Sequence, residues 1–102
     1  MSVMVGIRVS ADVERFKQVV AGDPDRVRAI AERGRQAGAI HHQFFASAAG
    51  DEILVVDEWP SAEAFRAFFD GAPDVGAFMG EAGVTSEPHV AIWHALDTPD
   101  KF

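Results

Sequence analysis

The sequence predicts an α+β sandwich, with helices on one face of a four-stranded antiparallel sheet, in the order βαββαβ. Three observations predict it. Short β-branched runs alternate with longer stretches of helical apolar periodicity, two neighbouring strand-like runs are separated by a tight Gly-containing turn, and one strand runs straight into an amphipathic helix. That last join spans Ile53 to Phe69. Ile53-Leu54-Val55-Val56 ends in Asp57-Glu58-Trp59 and passes through Pro60-Ser61 into a helix that carries Ala62, Phe65, Phe68 and Phe69 at helical spacing. Ser61 suits an N-cap. A large aromatic and a carboxylate therefore stand at a strand end, beside a helix start.

Taking the elements in order, Val3-Met4-Val5-Gly6-Ile7-Arg8-Val9 is rich in β-branched residues and closes at Ser10-Ala11-Asp12, which makes it the first strand. Apolar residues then fall at Val13, Phe16, Val19 and Val20, and again at Val27, Ile30, Ala31, Gly34 and Ala37, one stripe with a period near 3.6. Gly22-Asp23-Pro24 interrupts it. With Asp23 as N-cap and Pro24 in the first helical position, a short helix is followed by a longer one that ends at Gly38. Ile40 to Ser47 forms the second strand, with Ile40, His42 and Phe44 on one face and His41, Gln43 and Phe45 on the other. Ala48-Ala49-Gly50-Asp51 is a hairpin turn, so the third strand pairs antiparallel. After the Phe65 helix, Gly71-Ala72-Pro73 restarts a helix with Val75, Phe78, Met79 and Ala82 on one side. Pro88 to Leu96 is the last strand, and residues 97–102 form a loose tail.

At 102 residues the chain supports one domain, residues 1–102, with a modest core. Its hydrophobic fraction of 48% and mean hydropathy near zero are those of a globular protein, and no apolar run is long enough to span a bilayer. No secretory leader is expected, because Val3 to Ile7 is too short and leads into Arg8, so a cytoplasmic location is expected. The absence of cysteine excludes disulfides, thiolate chemistry and Cys-ligated metal centres. Nine basic residues are dispersed among sixteen acidic ones, for a formal charge of −7, which argues against nucleic acid and anionic membranes as partners.

One face of the predicted sheet has no helices to cover it. Val3 to Ile7 and Ile53 to Val56 are nonetheless apolar at both parities, as in sheets buried on two sides. A second copy stacked sheet to sheet is the economical cover, and burying such a face contributes on the order of 10 kcal/mol at about 25 cal/mol per Å², before association costs. A homodimer through the sheet face is expected.

The order of elements, Gly38-Ala39-Ile40 opening the second strand, and Val56-Asp57-Glu58-Trp59 leading into Ser61-Ala62-Glu63-Ala64-Phe65-Arg66-Ala67-Phe68 resemble the antibiotic biosynthesis monooxygenase-like family. The resemblance covers Val3 to Leu96 and implies a ferredoxin-like fold that pairs into a dimeric α+β barrel, with its pocket between sheet and helices. It also implies a choice of activities: cofactor-free oxygenation of aromatic polyketides, haem degradation, isomerisation, or none known. Two departures narrow the choice. The position matching the iron-binding histidine of the haem-degrading members is Phe68, which cannot ligate iron. The chain also lacks Asn and Tyr, and with them the asparagine that those members and the polyketide oxygenases use near the first strand. No cofactor or metal is implied.

By that resemblance Trp59 faces the helices, and alternation then puts Asp57, Val55 and Ile53 on the same side. A carboxylate among Val55, Trp59 and the Phe65 helix would be desolvated and its pKa raised, as a general acid or base requires. The rival reading has Trp59 filling the space between layers, and Asp57 capping or pairing with Arg8 or Arg66. Glu58, of opposite parity, is expected at the dimer partner or in solvent. All four histidines, 41, 42, 89 and 94, lie in the second and fourth strands, opposite edges of a sheet ordered 4-1-3-2. They have no compact metal-ligand spacing, and His42 or His94 could transfer protons.

Phe44, Phe65, Phe68 and Phe78 belong to the core on any reading and could line a flat pocket for an apolar or aromatic molecule. Gly76, Gly80 and Gly83 would leave the last helix either close to the sheet or easily displaced. No phosphate loop, nucleophile elbow or paired-carboxylate motif is present. Two functions remain. The first is a cofactor-independent monooxygenase-like enzyme, using Asp57, Trp59 and His42 on a small aromatic or polyketide-like substrate. The alternative is a non-catalytic dimeric module that binds a small ligand or acts as an accessory subunit. A cavity of about 300 Å³ or more, lined by Trp59 and Asp57, favours the first.

Overall fold

A computed structural model of the chain describes all residues, 1–102. Eight elements follow one another: β1 (Val3–Ser10), α1 (Val13–Gly22), α2 (Pro24–Gln36), β2 (His41–Ala46), β3 (Glu52–Trp59), α3 (Ala62–Asp70), α4 (Pro73–Glu81) and β4 (His89–Trp93). The strands form one antiparallel sheet in the order β2-β3-β1-β4. This is the ferredoxin-like α+β sandwich, with each crossover split into two helices. No helix is long and apolar enough to cross a membrane.

Local chemistry sets the breaks. Asp23 caps α2 by accepting from the Arg26 backbone N–H, with Pro24 in the first turn, and Ser61 caps α3 by accepting from Ala64 N at 3.1 Å. Helix α2 ends at Gln36, and the chain turns through Gly38 at φ 119°. Ser47 holds the β2–β3 turn, since its Oγ accepts from the backbone N–H groups of Asp51 and Glu52 and donates to Asp51 Oδ1. Gly50 supplies the left-handed residue of that turn, at φ 79°.

The last strand is shorter than the sequence suggests. It pairs only with β1, which begins at Val3, and the ladder ends at Met4 opposite Trp93. His94 would stand opposite Val3, the first residue of β1, but does not pair with it, and Ala95 and Leu96 lie past the end of β1. Pro88 lies just outside the strand, and it lacks the N–H that a ladder position donates.

Alternation decides what is covered. Val3, Val5, Ile7 and Val9 of β1 and Ile53, Val55, Asp57 and Trp59 of β3 point toward the helices and are buried. Two clusters make up the core: Val9, Val13, Phe16, Ile53, Phe78 and Ala82 at one end, and Val3, Val5, Ile7, Val55, Trp59 and Phe65 at the other. Gly34 of α2 is buried against the Phe68 ring of α3, where an added Cβ would make an ordinary contact at 3.6 Å. The opposite sheet face is uncovered. Met4, Gly6, Leu54, Val56, Ala91 and Trp93 line a shallow hollow of about 330 Å³ on it, and Trp93 is 63% exposed.

Helix α4 is the least secured element by local signals, having no side-chain cap at Ala72. Ion pairs tie it to α2 instead, Arg33 to Asp74 in its first turn and Arg26 to Glu81 in its last, and the Arg26 guanidinium lies 5.4 Å from the centre of the Phe78 ring. Gly76 and Gly80 do not serve close packing, since an added Cβ at either would meet nothing within 4 Å. Gly83 does. It has φ 88°, and a Cβ there would come 2.8 Å from Arg15 Cγ.

Candidate functional site

The register of β2 against β3 places His42 directly opposite Asp57 on the helix-facing side. His42 Nδ1 lies 2.7 Å from Asp57 Oδ1, and Asp57 Oδ2 accepts the indole N–H of Trp59 at 3.2 Å. Both oxygens of the nearly buried carboxylate are thereby engaged by named partners. Arg8 pairs with Glu52 instead, so the expected alternative partners Arg8 and Arg66 do not hold Asp57. With Nδ1 turned to Asp57, the other ring nitrogen of His42, Nε2, is the one left for a ligand.

Above this row the helices stand off the sheet and enclose a cavity of about 560 Å³. His42, Phe44, Asp57 and Trp59 supply its sheet wall, Gly34 and Ile30 of α2, Phe65 and Phe68 of α3 and Phe78 of α4 its helical walls. Seventeen of the 27 lining residues are hydrophobic, so what fits there is apolar. The large rings brace one another. Phe16 meets Phe44 and Phe78 edge to face, Trp59 meets Phe65 the same way, and Phe68 lies tilted 5.5 Å from Trp59.

Exposure separates the roles of the three linked side chains. Trp59 is 1% exposed, so it forms the back of the wall behind Phe65 and Phe68, and holds Asp57 rather than presenting a face to a ligand. Asp57 shows 12% of its side chain and His42 33%. The accessible end of the chain is thus His42. Phe44 packs edge to face against its ring at 4.9 Å and restricts it.

His41 faces the other way, opposite Glu58 on the uncovered sheet face. Glu58 accepts there from Ser2 Oγ. His89 sits on the far edge strand, and His94 lies beyond β4, exposed and away from the cavity lining, which removes it as a proton-transfer partner of this site. The sequence reading missed the pairing of His42 with Asp57. Its signal was the turn at Ala48–Asp51, since a fixed hairpin register would have aligned the two residues.

The architecture has solved counterparts. The monooxygenase ActVA-Orf6 of Streptomyces coelicolor, in complex with nanaomycin D, superposes with a TM-score of 0.72 over 95% of this chain and 89% of its own, at 17% identity. This chain has the fold of the antibiotic biosynthesis monooxygenases. SnoaB of Streptomyces nogalater, a cofactor-independent oxygenase, shares that monooxygenase fold at TM-score 0.66 and 18% identity, over 98% of both chains. A further structure named as an antibiotic biosynthesis monooxygenase aligns at TM-score 0.67 and 16% identity, over 92% of this chain and 98% of its own. No protein-family model matches the sequence, and no curated protein matches it. Identities this low carry the antibiotic biosynthesis monooxygenase fold, and the chemistry has to be argued from this chain's residues.

Proposed function

We propose that this protein is a cofactor-independent monooxygenase-like enzyme acting on a small aromatic or polyketide-like substrate in the pocket between sheet and helices. The observation that carries the reading is the His42–Asp57–Trp59 hydrogen-bonded row on the wall of a 560 Å³ apolar cavity. An oriented imidazole beside an apolar cavity is an arrangement that proton abstraction can use. The names of two neighbours agree with it, one an oxygenase described as cofactor-independent and one a monooxygenase in complex with nanaomycin D.

In this mechanism Asp57 accepts from His42 Nδ1–H, fixing the tautomer that leaves the Nε2 lone pair toward the ligand. His42 takes a proton from an activated ring methylene or a phenol. Asp57 then faces the imidazolium, and Trp59 holds the carboxylate from its other oxygen. The resulting electron-rich anion reacts with dioxygen. For a methylene, the ring carbon goes from CH₂ to C=O, one oxygen atom is retained as that carbonyl and the other leaves as water, so atoms and electrons balance without an added reductant. Phe44 and Phe68, the partly exposed rings of the lining, supply flat apolar surface against which the substrate lies, and Phe78, 3% exposed and packed on Phe16, backs that wall.

Homodimerisation through the uncovered sheet face belongs to the same reading. It is supported by exposed Leu54 and Trp93 beside Met4, Val56 and Ala91, an apolar centre with Arg8 and His89 at its edge. The test of the function is dioxygen uptake on mixing the protein with an anthrone-type substrate. Stoichiometric uptake with quinone formed, abolished in His42→Ala, supports the enzyme; saturable binding of the same compound without uptake supports the alternative of a ligand-binding module.

A further inference from the structure

The cavity is charged in one sense only. Besides His42, its titratable lining groups are the carboxylates of Asp57, Asp70 and Glu87, and no lysine or arginine reaches it. Seven of the nine basic residues, Arg8, Lys17, Arg26, Arg28, Arg33, Arg35 and Lys101, each pair with a carboxylate outside the cavity lining, and the other two, Arg15 and Arg66, are exposed and outside the lining as well. Asp70, at the end of α3, and Glu87, in the segment before β4, are exposed, and neither is engaged by a salt bridge or a side-chain hydrogen bond. Their negative charge is therefore unpaired on the exposed part of the lining.

We infer that this site selects against carboxylated aromatics and takes the uncharged form of its ligand, with Asp70 and Glu87 as the residues that set the selectivity. The inference rests on the proposal that the cavity is a ligand site, and adds to it the charge state of the ligand. A carboxylate entering the cavity loses its water and finds no guanidinium or ammonium in exchange. The one cationic candidate, His42, already has Nδ1 on Asp57. A neutral polycycle loses nothing of the kind, and its apolar surface is matched by the lining. The chain's formal charge of −7 acts in the same direction at long range.

The test is equilibrium dialysis of the intact protein against two probes with one ring system, naphthyl methanol and naphthoate, at mildly alkaline pH, where histidine is neutral. Naphthyl methanol is expected to bind at least about tenfold more tightly than naphthoate, the size of effect expected for an unmatched like charge at a partly buried site. Because both acids are exposed, Asp70→Asn combined with Glu87→Gln leaves the fold intact, and is expected to narrow that ratio several-fold. Glu87→Lys is expected to narrow it further by giving the carboxylate a partner. Equal binding of the two probes by the unaltered protein overturns the selectivity while leaving the cavity as a ligand site. A ratio unmoved by all three substitutions overturns the roles of Asp70 and Glu87. Failure of both probes to bind overturns the ligand site and the selectivity together, whereas selective binding without any dioxygen uptake sustains this inference and defeats only the enzymatic one.

Discussion

His42 and Asp57 face each other across the β2–β3 ladder at 2.7 Å, one on an exposed edge strand and the other on an inner strand beneath the helices. A partly solvated imidazole is thereby anchored to a nearly buried carboxylate, which gives it both access and a fixed orientation. The proposed chemistry depends on this pair acting as a unit.

If it does, Asp57→Asn and His42→Ala should each lower turnover by about 10²- to 10⁴-fold, the usual contribution of a positioned general base. The double variant should lose little more than either single one, since residues that act together are not additive. Binding of a non-reacting aromatic by dialysis should change only a few-fold. Additive losses in the double variant would separate the two residues.

The aromatic wall divides into support and lining. Phe65 is fully buried against Trp59 and Phe69, so Phe65→Ala should cost about 3 to 5 kcal/mol of stability in urea unfolding. Phe68 is half-buried on the cavity wall, and Phe68→Leu should alter ligand affinity more than stability. The reverse ranking would mean that the cavity wall lies elsewhere.

Leu54 stands on the uncovered sheet face. Leu54→Asp should therefore convert the expected dimer to a monomer in light scattering at micromolar concentration, because a buried interface would hold two unpaired carboxylates. Circular dichroism should show an unchanged fold. A native chain that already runs as a monomer would refute the sheet-face pairing.

The pair joining α2 to α4 gives a pH dependence. The hydrogen bond from Arg26, and then its charge, hold the Glu81 carboxyl below the usual glutamate range, while the same hydrogen bond raises Arg26 against the opposing effect of burial. Since folded Glu81 binds its proton less readily than unfolded Glu81, the pair contributes stability above the ordinary carboxylate range and loses it as the pH falls through the depressed value. Glu81→Gln should lower the urea midpoint slightly at neutral pH and flatten its decline on acidification, with high salt narrowing the difference. Parallel curves for the two proteins would show that the pair contributes nothing.

Gly83 closes α4 in a left-handed conformation against Arg15. Gly83→Ala should destabilise by about 1 to 3 kcal/mol, from backbone strain and the displaced arginine. Gly76→Ala, with open space at its Cβ, should be neutral or slightly stabilising, since it lies inside a helix.

The order of elements was legible from local signals, because strands and helices impose different apolar periods and because Asp23-Pro24, Ser61 and Gly38 mark their ends chemically. Period-two alternation also assigned Asp57 and Trp59 to one face, and His41 and His42 to opposite faces, without any knowledge of packing. Pairings across space were not legible in that way. Which residue faces Asp57 depends on the β2–β3 register, and Arg8 joined Glu52 because the β1–β3 ladder brings the ends of those strands together. The length of β4 was set by where its ladder with β1 runs out, at Met4 opposite Trp93. Only the tertiary structure could show an open cavity, since that space is what remains after many rings of different elements have packed, and no single stretch of sequence encodes it.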